Sequence, residues 1–127
     1  MKIEHIAIYT TQLEEMRQFY MTYFKAISNK KYMNRDKGFE SYFLHFDDGC
    51  RLELMQKMGV EDRCVLELVC GISHFAISTG SKSNVDALTE ILREDGYMIK
   101  GEARRTGDGY YESLILDPDG NQIELTI

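Results

Sequence analysis

The sequence predicts an α+β fold built from two related halves, each reading as strand, helix and three further strands, with a curved mixed sheet wrapped around a cavity. Three observations carry this expectation. The chain repeats itself internally, helical and strand periodicities follow one another in the same order in both halves, and polar residues of the same type recur at matching strand positions.

His5-Ile6-Ala7-Ile8 recurs as His74-Phe75-Ala76-Ile77, and Leu52-Glu53-Leu54 recurs as Ile123-Glu124-Leu125. Gly38 and Gly109, Gly49 and Gly120, and Glu53 and Glu124 are each 71 positions apart, whereas His5 and His74 are 69 apart. One register with a two-residue insertion is what duplication leaves. With 127 residues the chain has the size of one domain with a real core. It divides into a first module over about 1–56, a connector over about 57–71 and a second module over about 72–127.

The first strand is expected over Ile3 to Tyr9. Thr11-Gln12-Leu13-Glu14 then has the form of a capping box, which starts a helix by satisfying its free amides. Leu13, Met16, Tyr20 and Tyr23 fall on one helical face and can cover a sheet. In the second half Ile72 to Ser78 reads as a strand, and a helix from about Asn84 turns Val85, Leu88, Ile91 and Leu92 inward until Asp95-Gly96 ends it. Short β-branched and aromatic runs follow each helix. They are separated by Asp36-Lys37-Gly38, Asp47-Asp48-Gly49, Gly107-Asp108-Gly109 and Asp117-Pro118-Asp119-Gly120, all turn formers. Val65-Leu66 and Leu68-Val69 predict a packed connector.

Composition narrows the function. The formal net charge is −6 with scattered basic residues, which disfavours nucleic acid and anionic membrane surfaces as partners. The start MKIEHIAIYT lacks the form of a secretory signal, and no apolar run is long enough to span a bilayer, so a cytoplasmic location is expected. Cys50, Cys64 and Cys70 form no CxxC pair and are expected as reduced, packed thiols.

Alternation along the strands places Ile6 and Ile8 opposite His5, Phe75 and Ile77 opposite His74, Leu52 and Leu54 opposite Glu53, and Ile123 and Leu125 opposite Glu124. The apolar sets belong under the helices. His5, Glu53, His74 and Glu124 then face the cavity, where two unpartnered carboxylates would be costly. A divalent cation removes that cost, because two neutral imidazoles and two carboxylates around M²⁺ give zero formal charge. The donor set suits Ni, Zn, Co, Mn or Fe. Taken alone, any one of these residues is an ordinary strand residue, and it is their joint recurrence that points to metal. His45 has Leu116 as its repeat counterpart and reads as a core or rim histidine.

The segments EHIAI, RLELM, SHFAIS and DPDGNQIEL resemble glyoxalase I-like members of the vicinal oxygen chelate superfamily, also called the glyoxalase/bleomycin resistance/dioxygenase family. The resemblance covers the whole chain. It implies two βαβββ modules around a metal-binding cavity, commonly in a homodimer, and places the family's His, Glu, His, Glu metal quartet on His5, Glu53, His74 and Glu124. A carboxylate at Glu53 favours the lyase and isomerase branch over the dioxygenase, fosfomycin-resistance, epimerase and bleomycin-binding branches. The implied activity is that of a lactoylglutathione lyase. Such an enzyme detoxifies methylglyoxal by converting a hemithioacetal, a small thiol adduct, through an enediolate, with Glu124 as base and Glu53 as the alternative. The sequence departs from glutathione-using members at Tyr9 and Lys57, where they commonly carry Arg and Asn. Lys57 or Arg17 would have to compensate, and Tyr9, Tyr42, Tyr110 and Tyr111 are candidates for the pocket lining. The competing expectations are a non-catalytic ligand- or antibiotic-binding protein, an epimerase, or a fosfomycin-resistance thiol transferase or hydrolase.

Overall fold

The computed structural model describes residues 1–61 and 70–127, and the chain separates into two compact units, Met1–Val65 and Leu66–Ile127. The first unit runs β1 (His5–Tyr9), α1 (Leu13–Phe24), β2 (Ile27–Ser28), β3 (Tyr32–Asn34), β4 (Phe39–His45) and β5 (Arg51–Lys57). Its strands hydrogen-bond in the order β1-β5-β4-β2, with β3 also on β4. The second unit runs β6 (Phe75–Ser78), α2 (Lys82–Glu94), β7 (Ile99–Arg105), β8 (Tyr111–Leu116) and β9 (Gln122–Thr126), in the order β6-β9-β8-β7. In each sheet the first strand is parallel to the last and the other pairings are antiparallel. Each unit is thus a βαβββ module on a mixed sheet.

The sequence repeat is reproduced in the hydrogen-bond register. Glu53 lies between Ala7 of β1 and Phe43 of β4, and Glu124 lies between Ala76 of β6 and Leu114 of β8. The matching glycines Gly49 and Gly120 have φ of +91° and +78°, a left-handed backbone that glycine adopts without a Cβ penalty. The halves differ at their outer edge. The first unit splits that edge into β2 and β3, and just after β2 the Asn29 side-chain oxygen accepts the Phe43 N–H at 2.8 Å in place of a ladder carbonyl. The second unit keeps one strand there, with two register shifts against β8.

Each helix covers the apolar face of its own sheet. Leu13, Met16, Phe19 and Tyr20 of α1 are buried together with Leu44, Leu52 and Leu54 of β4 and β5. Val85, Thr89 and Leu92 of α2 are buried together with Ile115, Ile123 and Leu125. Full burial of one such aliphatic side chain contributes about 1.5–3 kcal/mol, more than an exposed ion pair's roughly 0–1 kcal/mol. These faces therefore fix which side of each sheet is left for His5, Glu53, His74 and Glu124.

Several local expectations are corrected. No capping box starts α1, since its N-cap is Gln12 and makes no side-chain capping bond. The Gln12 N–H instead takes the Thr10 hydroxyl at 2.9 Å, and Glu14 accepts from Tyr42 and Lys31. Phe19 takes the buried place assigned to Tyr23, which is half-buried. The second helix begins earlier, at Lys82, with Ser81 accepting the Asn84 N–H as its cap. Ile91 is exposed and Thr89 takes its place in the core. The strands at the start of each unit begin at His5 and Phe75 rather than Ile3 and Ile72. Cys70 is exposed and Cys50 half-buried, so packing does not explain Cys70. Cys64 and the apolar pairs of the connector lie outside the described residues. Among those described, no helix is long and apolar enough to cross a membrane.

Candidate metal centre

In the first unit, the parallel pairing of β1 with β5 brings His5 beside Glu53, with His5 Nε2 3.8 Å from Glu53 Oε2. The glutamate is mostly shielded while the imidazole is partly open, at 15% and 40% side-chain exposure. The ring is held from behind. Its Nδ1 lies 2.6 Å from Glu4 Oε2, and the ring packs in a T-shaped contact with Phe43 at a centroid distance of 5.5 Å. Glu4 is in turn bound by Arg51, whose Nε donates at 2.7 Å and whose guanidinium lies 4.2 Å over the Phe43 ring.

The second unit repeats the pair. His74 Nε2 lies 3.3 Å from Glu124 Oε2, and His74 Nδ1 has the Ser73 hydroxyl at 3.4 Å. Burial and the neighbouring carboxylate of Glu112 raise the Glu124 carboxyl above its ordinary range, and His74 opposes them in part. Glu112 is itself bound by Arg104 at 3.2 Å. It sits two residues before Leu114, the β8 partner of Glu124, and so shares the Glu124 face.

The structure thus unites His5 with Glu53 and His74 with Glu124, using the same ring nitrogen in both. Within the described residues, no three His, Cys, Asp or Glu side chains converge into a ready cation site. The donors fit a divalent cation in kind, since each unit offers one imidazole nitrogen and one carboxylate oxygen, a set suited to borderline ions. The crowding of Glu124 by Glu112 fits as well, because a cation would offset the cost of two neighbouring negative charges.

The remaining candidates divide. Tyr42 is buried and donates to Glu14 of α1 at 2.9 Å, with Arg17 4.8 Å over its ring. Tyr111 donates to Asp86 of α2 at 2.6 Å. Tyr42, Tyr111 and Arg17 are thus engaged in holding helices to sheets within their own units. Tyr9 and Tyr110 are exposed. His45 is a rim residue, exposed at the end of β4. Lys57 shares the Glu53 face of β5 and helps line a cavity of about 320 Å³ with Arg35, Met33, Phe39 and Met58. Sequence reasoning passed over Glu4, Arg51, Phe43 and Glu112. Alternation could have found the last three, since Arg51 lies two positions from Glu53, and Phe43 and Glu112 lie on strands facing the two glutamates.

Comparison with known proteins agrees with this architecture. The family model of the Glyoxalase/Bleomycin resistance protein/Dioxygenase superfamily matches residues 2–125. An uncharacterized protein of Bacillus subtilis, YqjT, is 28% identical, the match covering 97% of this chain and 96% of that protein. A glyoxalase/bleomycin resistance protein/dioxygenase domain from Frankia superposes with a TM-score of 0.85 at 16% identity, over 100% of this chain and 97% of that one. Glyoxalase I of Leishmania major superposes at 0.80 with 23% identity, over 99% of this chain and 86% of that one. Glyoxalase I of Zea mays superposes at 0.81 with 24% identity over 98% of this chain, which spans only 44% of the maize chain. With a family model matched over nearly its whole length and the paired βαβββ modules to go with it, the chain belongs to the Glyoxalase/Bleomycin resistance protein/Dioxygenase superfamily.

Proposed function

We propose that the protein is a metal-dependent lyase or isomerase of glyoxalase I type, acting on a hemithioacetal or a similar adduct of a small α-oxo carbonyl compound. The observation that carries the reading is the duplicated pair, in which a histidine Nε2 faces a glutamate oxygen at the same register in both units. His5, Glu53, His74 and Glu124 would together hold one divalent cation, with the two pairs drawn from one chain or from two copies in a homodimer. When bound, the cation supplies Lewis-acid stabilisation of negative charge developing on the substrate oxygens.

The protein's own part is proton transfer. Glu124 Oε2 would take the carbon-bound proton and return it to the adjacent carbon while the hydroxyl proton passes to the neighbouring oxygen, so the reaction is an internal isomerisation that needs no oxidant. Glu53 is the alternative base. Arg35, Lys57 and Glu40 beside the thioether and aromatic surface of the first unit's cavity would suit a substrate with a polar, partly apolar tail.

Purified protein should lose turnover of methylglyoxal with glutathione, or with another low-molecular-weight thiol, on chelation and regain it with added metal. Glu124→Gln should lower kcat by at least about 100-fold, the low end of a general base's contribution. Fully metallated protein with no turnover on any such adduct would refute the lyase reading. Ligand affinity that survives both Glu53→Gln and Glu124→Gln would favour a non-catalytic binding protein.

A further inference from the structure

We propose that Glu4 is a positioning residue that fixes His5 as its Nδ1–H tautomer and leaves the Nε2 lone pair facing Glu53, a control that His74 lacks. The consequence for metal rests on the function proposed above, whereas the tautomer does not.

An ionised carboxylate can only accept hydrogen bonds, so the 2.6 Å contact between Glu4 Oε2 and His5 Nδ1 requires the proton on Nδ1. In the neutral ring Nε2 is then unprotonated and able to ligate. The carboxylate is also held from its other side. Arg51 grips its other oxygen through Nε at 2.7 Å and through a terminal guanidinium nitrogen, and the Arg51 backbone N–H donates to the Glu4 carbonyl at 3.0 Å. Phe43 completes the box, with the guanidinium over its ring and the imidazole against it. A carboxylate behind a ligating histidine orients the ring and makes it a stronger donor.

The second unit puts a hydroxyl at the matching position. Ser73 Oγ lies 3.4 Å from His74 Nδ1 and can either donate or accept, so it selects neither tautomer. The repeat has thus kept the ligand and the residue before it in place, while their coupling is strong in only one half.

The test uses metal-free protein above the histidine titration range and long-range proton–nitrogen correlation spectra of the two rings. His5 should show the Nδ1–H pattern, and His74, with the Glu124 carboxylate 3.3 Å from its Nε2 and only a hydroxyl near Nδ1, should show the Nε2–H pattern instead. Glu4→Ala should shift His5 towards the Nε2–H form preferred by unrestrained histidine. Glu4→Asp, which keeps an acceptor-only group, should restore the wild-type pattern, and amide spectra of both variants verify the fold. In calorimetric titration with zinc, Glu4→Ala should weaken binding roughly 10–100-fold, while Ser73→Ala should stay within about threefold. A His5 that is Nε2–H or imidazolium in the wild type, or unchanged in Glu4→Ala, would overturn the proposal, as would unaltered zinc affinity beside a changed tautomer. A wild type that binds no zinc while its His5 tautomer still responds to Glu4 would support the positioning and remove the metal reading instead.

Discussion

Thr89 and Ser113 make a polar contact inside the second unit's core, each 1% exposed. The Thr89 hydroxyl donates to the Val85 carbonyl at 2.7 Å, so Ser113 must donate to Thr89 across their own 2.7 Å contact. Thr89→Val strands the Ser113 hydroxyl without an acceptor and should destabilise by about 1–3 kcal/mol. Adding Ser113→Ala removes the stranded group, so the double variant should recover part of that loss, and urea unfolding of all four proteins gives the coupling directly. Equal and additive losses would mean that the two hydroxyls do not depend on each other. Ser113 occupies the repeat position of Tyr42, which also reaches its helix, through Glu14. One sheet position therefore carries the polar link to the helix in both halves, by a long side chain in one and a short one in the other. Residue type hides this in the sequence, where Thr89 passes for a spacer between apolar positions and Ile91, exposed at the helix side, passes for core.

Helix ends show a similar division between what can and cannot be read in advance. The second helix stops at Gly96, with φ of +89° and the Tyr97 N–H returned to the Leu92 carbonyl at 2.9 Å, and Asp95-Gly96 signals this in the sequence. The first helix stops at Lys25, which has φ of +55° and is the non-glycine residue with positive φ among those described. No glycine marks that end, and the cost of a Cβ in the left-handed region is borne locally because the chain must turn into β2. Lys25→Gly should therefore stabilise the protein by about 0.5–1 kcal/mol, the gain from left-handed backbone exceeding the added freedom of the unfolded chain. A lower urea midpoint in this variant would show that the lysine side chain contributes more than its backbone costs. The face of each strand was legible because alternation is local and both halves repeat it. The split of the first unit's outer edge was not, because it depends on Asn29 meeting the Phe43 backbone 14 residues away.

At the scale of the whole chain, duplication gives each unit two donors, and two donors alone hold a divalent ion weakly. The two His–Glu pairs were visible in the sequence as a joint recurrence, and the structure keeps each pair together within its unit. The supports behind the rings were invisible, since Glu4 and Ser73 resemble each other in neither type nor hydrophobicity. If both pairs serve one ion, loss of either must remove it. Glu53→Gln and Glu124→Gln should each abolish tight zinc or nickel binding, although the changed residues lie in different units. The wild type should take up one ion per set of four ligands. Binding to the native state alone adds about 2.7 kcal/mol of stability at a metal concentration 100 times Kd, so thermal melts provide a second readout in which only the wild type gains several degrees. If instead each His–Glu pair bound independently, either variant would keep half of the metal and roughly half of the stabilisation, and a single shared centre would be ruled out.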